Sequence, residues 1–172
     1  MMLQPSNFFN PACMKTLVVG LGNPILGDDG VGWRVAEEIA RITANQPEVE
    51  VDCVSLGGLS LMERLTGCER VILVDSIFTG KKSMGTVSQF QLIDLPDLSS
   101  GHTTAAHDTS LRNALSVGRS MNIPLPHDED IVIIAIEAEN VFDFSDTLSP
   151  SIQAAVPTAV EAVLQQIQSK KE

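Results

Sequence analysis

Residues 15–32 read K-T-L-V-V-G-L-G-N-P-I-L-G-D-D-G-V-G. The run Lys15–Gly20 has the length and β-branching of a buried strand, and the glycine-rich turn after it opens a helical pattern. From Val31 the apolar positions Val31, Val35, Ile39 and Ile42, joined by Ala36 and Ala40, mark one helix face that ends near Asn45-Gln46-Pro47. A strand that passes through a short loop into a helix is the opening of an α/β fold. In such folds ligands sit beyond the carboxyl ends of the strands, where this loop lies.

Outward from that stretch the alternation continues. Glu50–Val54 predicts a second strand, Ser60–Leu65 a short helix stopped by Gly67, and Arg70–Asp75 a third strand that is aliphatic until its last residue. Thr86–Leu92 alternates like an edge or hairpin strand, and residues 94–106 read as a long polar loop. A helix over Asp108–Met121, the wholly apolar strand Ile131–Ile136 and a last helix from Ile152 to Ile167 complete the pattern. Pro157 predicts a kink in that helix, or a fresh helix start. Strands apolar on both faces imply a mostly parallel, twisted sheet of about five strands inside a three-layer α/β/α sandwich. Residues 1–14, broken by Pro5 and Pro11, read as a flexible extension before a single α/β hydrolase-type domain over 15–172.

The opening loop is not a nucleotide site. After Gly20 and Gly22 the dinucleotide fingerprint needs a third glycine at position 25, which is Ile25. Gly22 and Gly27 keep phosphate-loop spacing, but Asp28 and Asp29 stand where Lys and Ser or Thr belong. Two carboxylates repel phosphate, and the helix N-terminus favours their ionised form. One Asp at that place caps a helix; the second has no such need. Asp75 emerges from an aliphatic strand at the same rim if the first and third strands are parallel. His107, in T-T-A-A-H-D-T-S-L, sits at a helix start, where the positive field biases imidazole toward the neutral, metal-binding form. His102 and His127 fall in a loop and a surface turn. Two hard carboxylates and one imidazole suit nickel, zinc, iron or manganese in an open site, unlike the closed ligand sets of resident zinc.

Composition narrows the classes further. The net charge of −11 argues against nucleic acid, which needs Lys and Arg in numbers. No apolar run nears the ~20 residues of a membrane helix. Cys13, Cys53 and Cys68 show neither C-x-x-C pairing nor zinc spacing, and fit a reducing cytoplasm.

The G-L-G-N-P-I-L-G-D-D-G-V-G loop, V-D-S at 74–76 and A-A-H-D-T-S-L, in that order, resemble the hydrogenase maturation endopeptidases. I-A-I-E-A-E-N and L-S-P at 148–150 resemble that family's late strand and last-helix entry. The resemblance implies a three-layer α/β/α fold and removal of a C-terminal extension from a nickel–iron hydrogenase large-subunit precursor after nickel insertion. It implies a metal-dependent or aspartyl-type protease in which Asp29, Asp75 and His107 are both metal ligands and catalytic residues. The nickel is supplied by the substrate, and no resident organic cofactor is expected. Asp28, Gly57 and Gly58 are candidates for substrate contact. The chain departs from the pattern at Leu56, where members often carry Asp before Gly57-Gly58, and at Ala138, where they carry Pro. A metal-binding chaperone or adaptor using the same ligands is the alternative. Peptidyl-tRNA hydrolase shares the G-L-G-N-P start, but that family continues with a Tyr, and this chain has none.

Overall fold

The computed structural model describes residues 16–55, 57–94, 103–139 and 141–169; for residues 103–110 it describes the backbone. The expected extension at 1–14, Leu56 and His102 lie outside these. Five strands, β1 (Thr16–Leu21), β2 (Val49–Val54), β3 (Arg70–Ile77), β4 (Val87–Gln91) and β5 (Ile131–Glu137), form one sheet in the order β2-β1-β3-β5-β4. All neighbours are parallel except β4, which runs antiparallel to β5 at the edge. Thr86–Leu92 is therefore an edge strand, and its partner is β5 rather than a hairpin neighbour.

Because side chains alternate along a strand, each central strand feeds two cores. Leu17, Val19, Val71, Leu73, Ile131 and Ile133 face α2 (Gly58–Arg64) and α3 (Thr103–Ser120). Val18, Ile72, Val74, Ile134 and Ile136 face α1 (Val31–Ile42) and α4 (Pro150–Gln168). Helices on both faces make the three-layer sandwich the patterning implied. Gly20 and Gly32 allow a close approach: a Cβ on Gly20 would meet the Gly32 carbonyl oxygen at 2.4 Å, and one on Gly32 the backbone oxygens of Leu21 and Val74 at 2.3 and 2.4 Å, so α1 lies against β1 and β3 backbone to backbone.

Three boundaries differ from expectation. α4 is one undivided helix with Pro157 on its exposed side, where the carbonyl that the missing N–H leaves free can turn to solvent. α3 begins at Thr103, so His107 is its fifth residue and not its start, and the loop ahead of it is shorter than 94–106. β3 runs two residues past Asp75, because pairing with β5 continues through Ser76–Ile136 and Ile77–Glu137.

Candidate active site

The strand order reverses between β1 and β3. From β1 the chain crosses to β2 on the α1 face, then returns to β3 on the α2 face, which opens a crevice at the carboxyl ends of β1 and β3. The register sharpens this opening. β1 pairs with β3 only as far as Gly20–Val74, while β3 continues beside β5 alone. Asp75 and Ser76 are thus the first β3 residues with no β1 neighbour, and the loop that follows β1 fills that gap.

That loop is wound tightly. Gly22 has φ +117°, and a Cβ on it would lie 1.9 Å from the Asp29 carbonyl oxygen. The Leu26 N–H donates to the Asn23 carbonyl at 3.1 Å and the Asp29 N–H to the Leu26 carbonyl at 3.2 Å. A 3-10 turn over Gly27–Gly30 then leads into α1, whose start has no side-chain cap, so neither Asp does the capping expected of a lone acid there.

The two acids turn opposite ways. Asp28 is buried; its Oδ1 accepts the Ser149 N–H at 2.7 Å and its Oδ2 the Ser149 hydroxyl at 2.9 Å. Ser149 is the N-cap residue of α4, so Asp28 clamps the loop to the last helix, and both its oxygens are used inside the fold. Hydrogen bonds to a charged group contribute about 1.5–3 kcal/mol each. Asp28→Ala is therefore expected to lower stability by about 2–4 kcal/mol, read as a shift of the urea midpoint at constant m-value.

Asp29 points into the crevice. Its Oδ2 accepts the Asn23 N–H at 2.7 Å, and its Oδ1 accepts the Ser76 hydroxyl at 3.2 Å. The Ser76 N–H in turn donates to Asp75 Oδ1 at 2.8 Å. One buried serine therefore holds both carboxylates, with its hydroxyl on Asp29 and its amide on Asp75. An ionised carboxylate has about four lone-pair sites, and the two bonds to Asp29 leave acceptor capacity on each oxygen. A carboxylate fixed in this way and only partly used, as that of Asp29 is, is suited to receive a cation or to take a proton from water.

His107 lies in the second turn of α3, and the length of that helix bears on which end of the sheet it can reach. α3 ends at Ser120, near the amino edge where β5 begins at Ile131. Its 18 residues rise about 27 Å, more than the about 23 Å of seven-residue β5, so a helix running back along the sheet is long enough to bring its first turns to the carboxyl edge. The His107 side chain lies outside the described part. Among the described residues no three His, Cys, Asp or Glu side chains converge as a metal-holding group. Gly57 and Gly58 open α2 at the carboxyl end of β2, with Gly58 in the left-handed region at φ +54°. His127 stands at the opposite, amino edge, just before β5.

Sequence reasoning missed Ser76, Asn23 and Glu137. Glu137, at the end of β5, is 1% exposed. Its Oε1 accepts the N–H groups of Thr79 and Gly80 at 2.7 and 3.0 Å and the Thr79 hydroxyl at 2.9 Å. It pins the turn after β3, and the abrupt acid at the end of an aliphatic strand was the available signal. Cys53, near the carboxyl end of β2, is no nucleophile. Burial, then the charges of Glu37 and Asp52, push its thiol up to about 11, so at neutral pH it stays protonated.

The model of the hydrogenase maturation protease family, HycI, matches residues 33–166. The hydrogenase expression/formation protein HupD of Thiocapsa roseopersicina is 21% identical over 151 residues, which are 88% of this chain and 66% of that relative. The hydrogenase 2 maturation protease of Escherichia coli is 24% identical over 151 residues, 88% of this chain and 89% of that one. The solved hydrogenase maturating endopeptidase HybD from E. coli superposes with a TM-score of 0.72 at 23% identity, over 92% of this chain and 94% of that one. That likeness carries the fold: a mostly parallel five-stranded sheet with helices on both faces. Because the family model spans most of the sequence, from α1 into α4, the chain belongs to the hydrogenase maturation protease family.

Proposed function

We propose that the protein is an endopeptidase that removes the C-terminal extension of a nickel–iron hydrogenase large-subunit precursor once nickel is in place. Asp29, Asp75 and His107 read that nickel, which arrives with the substrate, and no resident organic cofactor takes part. The enzyme works in the cytoplasm, where the precursor is made; no helix among the described residues is long and apolar enough to cross a membrane. The observation that supports the reading is the Asp29–Ser76–Asp75 linkage at the switch point, in which one serine is hydrogen-bonded to acids from two separate elements.

Two carboxylates and an imidazole match a borderline divalent ion and leave coordination positions open for the precursor's own ligands. An ion held between the two proteins polarises a nearby carbonyl or lowers the pKa of a bound water. Asp29 or Asp75 is then placed to accept the proton of the attacking water, and the leaving amine must gain one as the peptide bond breaks. Gly57 and Gly58, without side chains, let the extended backbone of the precursor pass close to β2.

The test compares nickel-loaded with nickel-free precursor, reading the released C-terminal peptide by mass spectrometry. Release from the loaded form is expected, with nickel-free precursor cut at least about 100-fold more slowly. Equal cutting of both removes nickel from the recognition step. Binding of the loaded form without any release would make the protein a metal-binding adaptor.

A further inference from the structure

Of the four described phenylalanines, only Phe90 packs against the core. Phe78, Phe142 and Phe144 are 40, 70 and 86% exposed, and all three follow carboxyl ends of strands, Phe78 after β3 and the other two after β5. Ile25, in the loop that carries Asp29, is 54% exposed. The segment bearing Phe142 and Phe144 is tied to that loop. The Ser145 N–H donates to the Ile25 carbonyl at 3.1 Å and the Gly27 N–H to the Ser145 carbonyl at 2.8 Å, forming a parallel bridge between Leu26 and Ser145. Arg34 donates to the Asp146 carbonyl at 3.1 Å, and the Asp28 clamp on Ser149 closes the far end. Large aromatics on a segment fastened at several points are presented at low ordering cost, as binding anchors are.

The charge around them states what they meet. From Ile131 to Ser169 the chain has no Lys or Arg, while Glu139, Asp143 and Asp146 beside the two phenylalanines are exposed. A second copy of the chain would bring acid against acid, and an anionic lipid surface would be repelled in the same way. We propose that Ile25, Phe142 and Phe144 form the docking face for the precursor polypeptide, taking an apolar patch flanked by Lys or Arg next to the metal-bearing end. The proposal rests on the function given above and adds the surface that selects the substrate. It places recognition on residues 142–144 and hydrolysis on Asp29, a few residues beyond the bridge that joins the two loops.

The experiment measures binding apart from cutting, by interferometry on immobilised nickel-loaded precursor, with the fold of each variant checked by circular dichroism. Phe142→Ala/Phe144→Ala is expected to weaken binding by about tenfold or more. Asp143→Lys/Asp146→Lys should weaken it and flatten its salt dependence. Met121→Ala, an exposed residue at the other end of α3, should bind as the wild type does. Wild-type affinity in both double variants, an equal loss in Met121→Ala, or no binding by the wild-type chain overturns the proposal. If the wild type binds, the double variants bind weakly and none of them releases peptide, the docking face stands and the endopeptidase reading falls.

Discussion

Asp75→Asn is expected to slow precursor processing by about 100- to 10,000-fold, the range for losing a positioned acid–base group, with the melting temperature within about 4 °C of wild type. The asparagine carbonyl still accepts the Ser76 N–H that Asp75 Oδ1 accepts, while the negative charge is lost. Charge is what a cation or a proton needs, so chemistry and folding part company at this position. Asp29→Asn should lose as much activity but also some stability, about 1–2 kcal/mol. Its Oδ2 accepts the Asn23 N–H and its Oδ1 the Ser76 hydroxyl, so an amide there keeps the first bond only by making the hydroxyl accept instead of donate, and both bonds lose their charge assistance. A full-rate Asp75→Asn enzyme in the peptide-release assay would remove the acid pair from the mechanism.

Gly22→Ala is expected to damage both fold and function. The added methyl would sit 1.9 Å from the Asp29 carbonyl oxygen, at a φ of +117° that L-residues avoid. The obstacle is backbone, in a loop fixed at both ends, so it has no rotamer to swing aside. Overpacking costs about 1–3 kcal/mol and a strained φ a similar amount, so a loss of roughly 3–5 kcal/mol is expected, or a fall in melting temperature of more than about 6 °C. Relief would come by displacing Asp29, and processing should fall with it. Gly67→Ala provides the comparison: Gly67 has φ +79° but nothing within 4 Å of a new Cβ, so it should lose only about 1 kcal/mol. Equal shifts in the two variants would show that φ, and not the contact with Asp29, decides the effect.

The parts of this fold legible in the sequence are those written as apolar period. KTLVVG, RVILVD and IVIIAI are strands because nothing else buries such short aliphatic runs on two faces, and α1 followed from Val31, Val35 and Ile39. The shared rim of Asp29 and Asp75 followed from the strand-end rule. What stayed hidden is polar and long-range. β3 continues through Ser76 because β5 goes on pairing with it, and no local pattern marks a buried serine as strand. The start of α3 at Thr103 precedes its first inward leucine, Leu111, by eight residues, so periodicity set the boundary too late. Local pattern alone does not separate Asp28 from Asp29; only the family resemblance singled out Asp29. What separates them is Ser149, 121 residues away, which takes one acid out of the crevice and leaves the other in it.

That bond has a consequence for how variation in such chains is read. If Asp28 and Ser149 form a single latch, drift at one position is tolerated only when the other keeps a matching group, so the two columns should change together across homologues although they sit at opposite ends of the reading frame. A chimaera carrying a foreign first loop on this scaffold would then need a hydroxyl residue at position 149 to seat it. Transplanting the loop alone would leave a well-folded sandwich of helices and strands whose business end no longer faces its cargo.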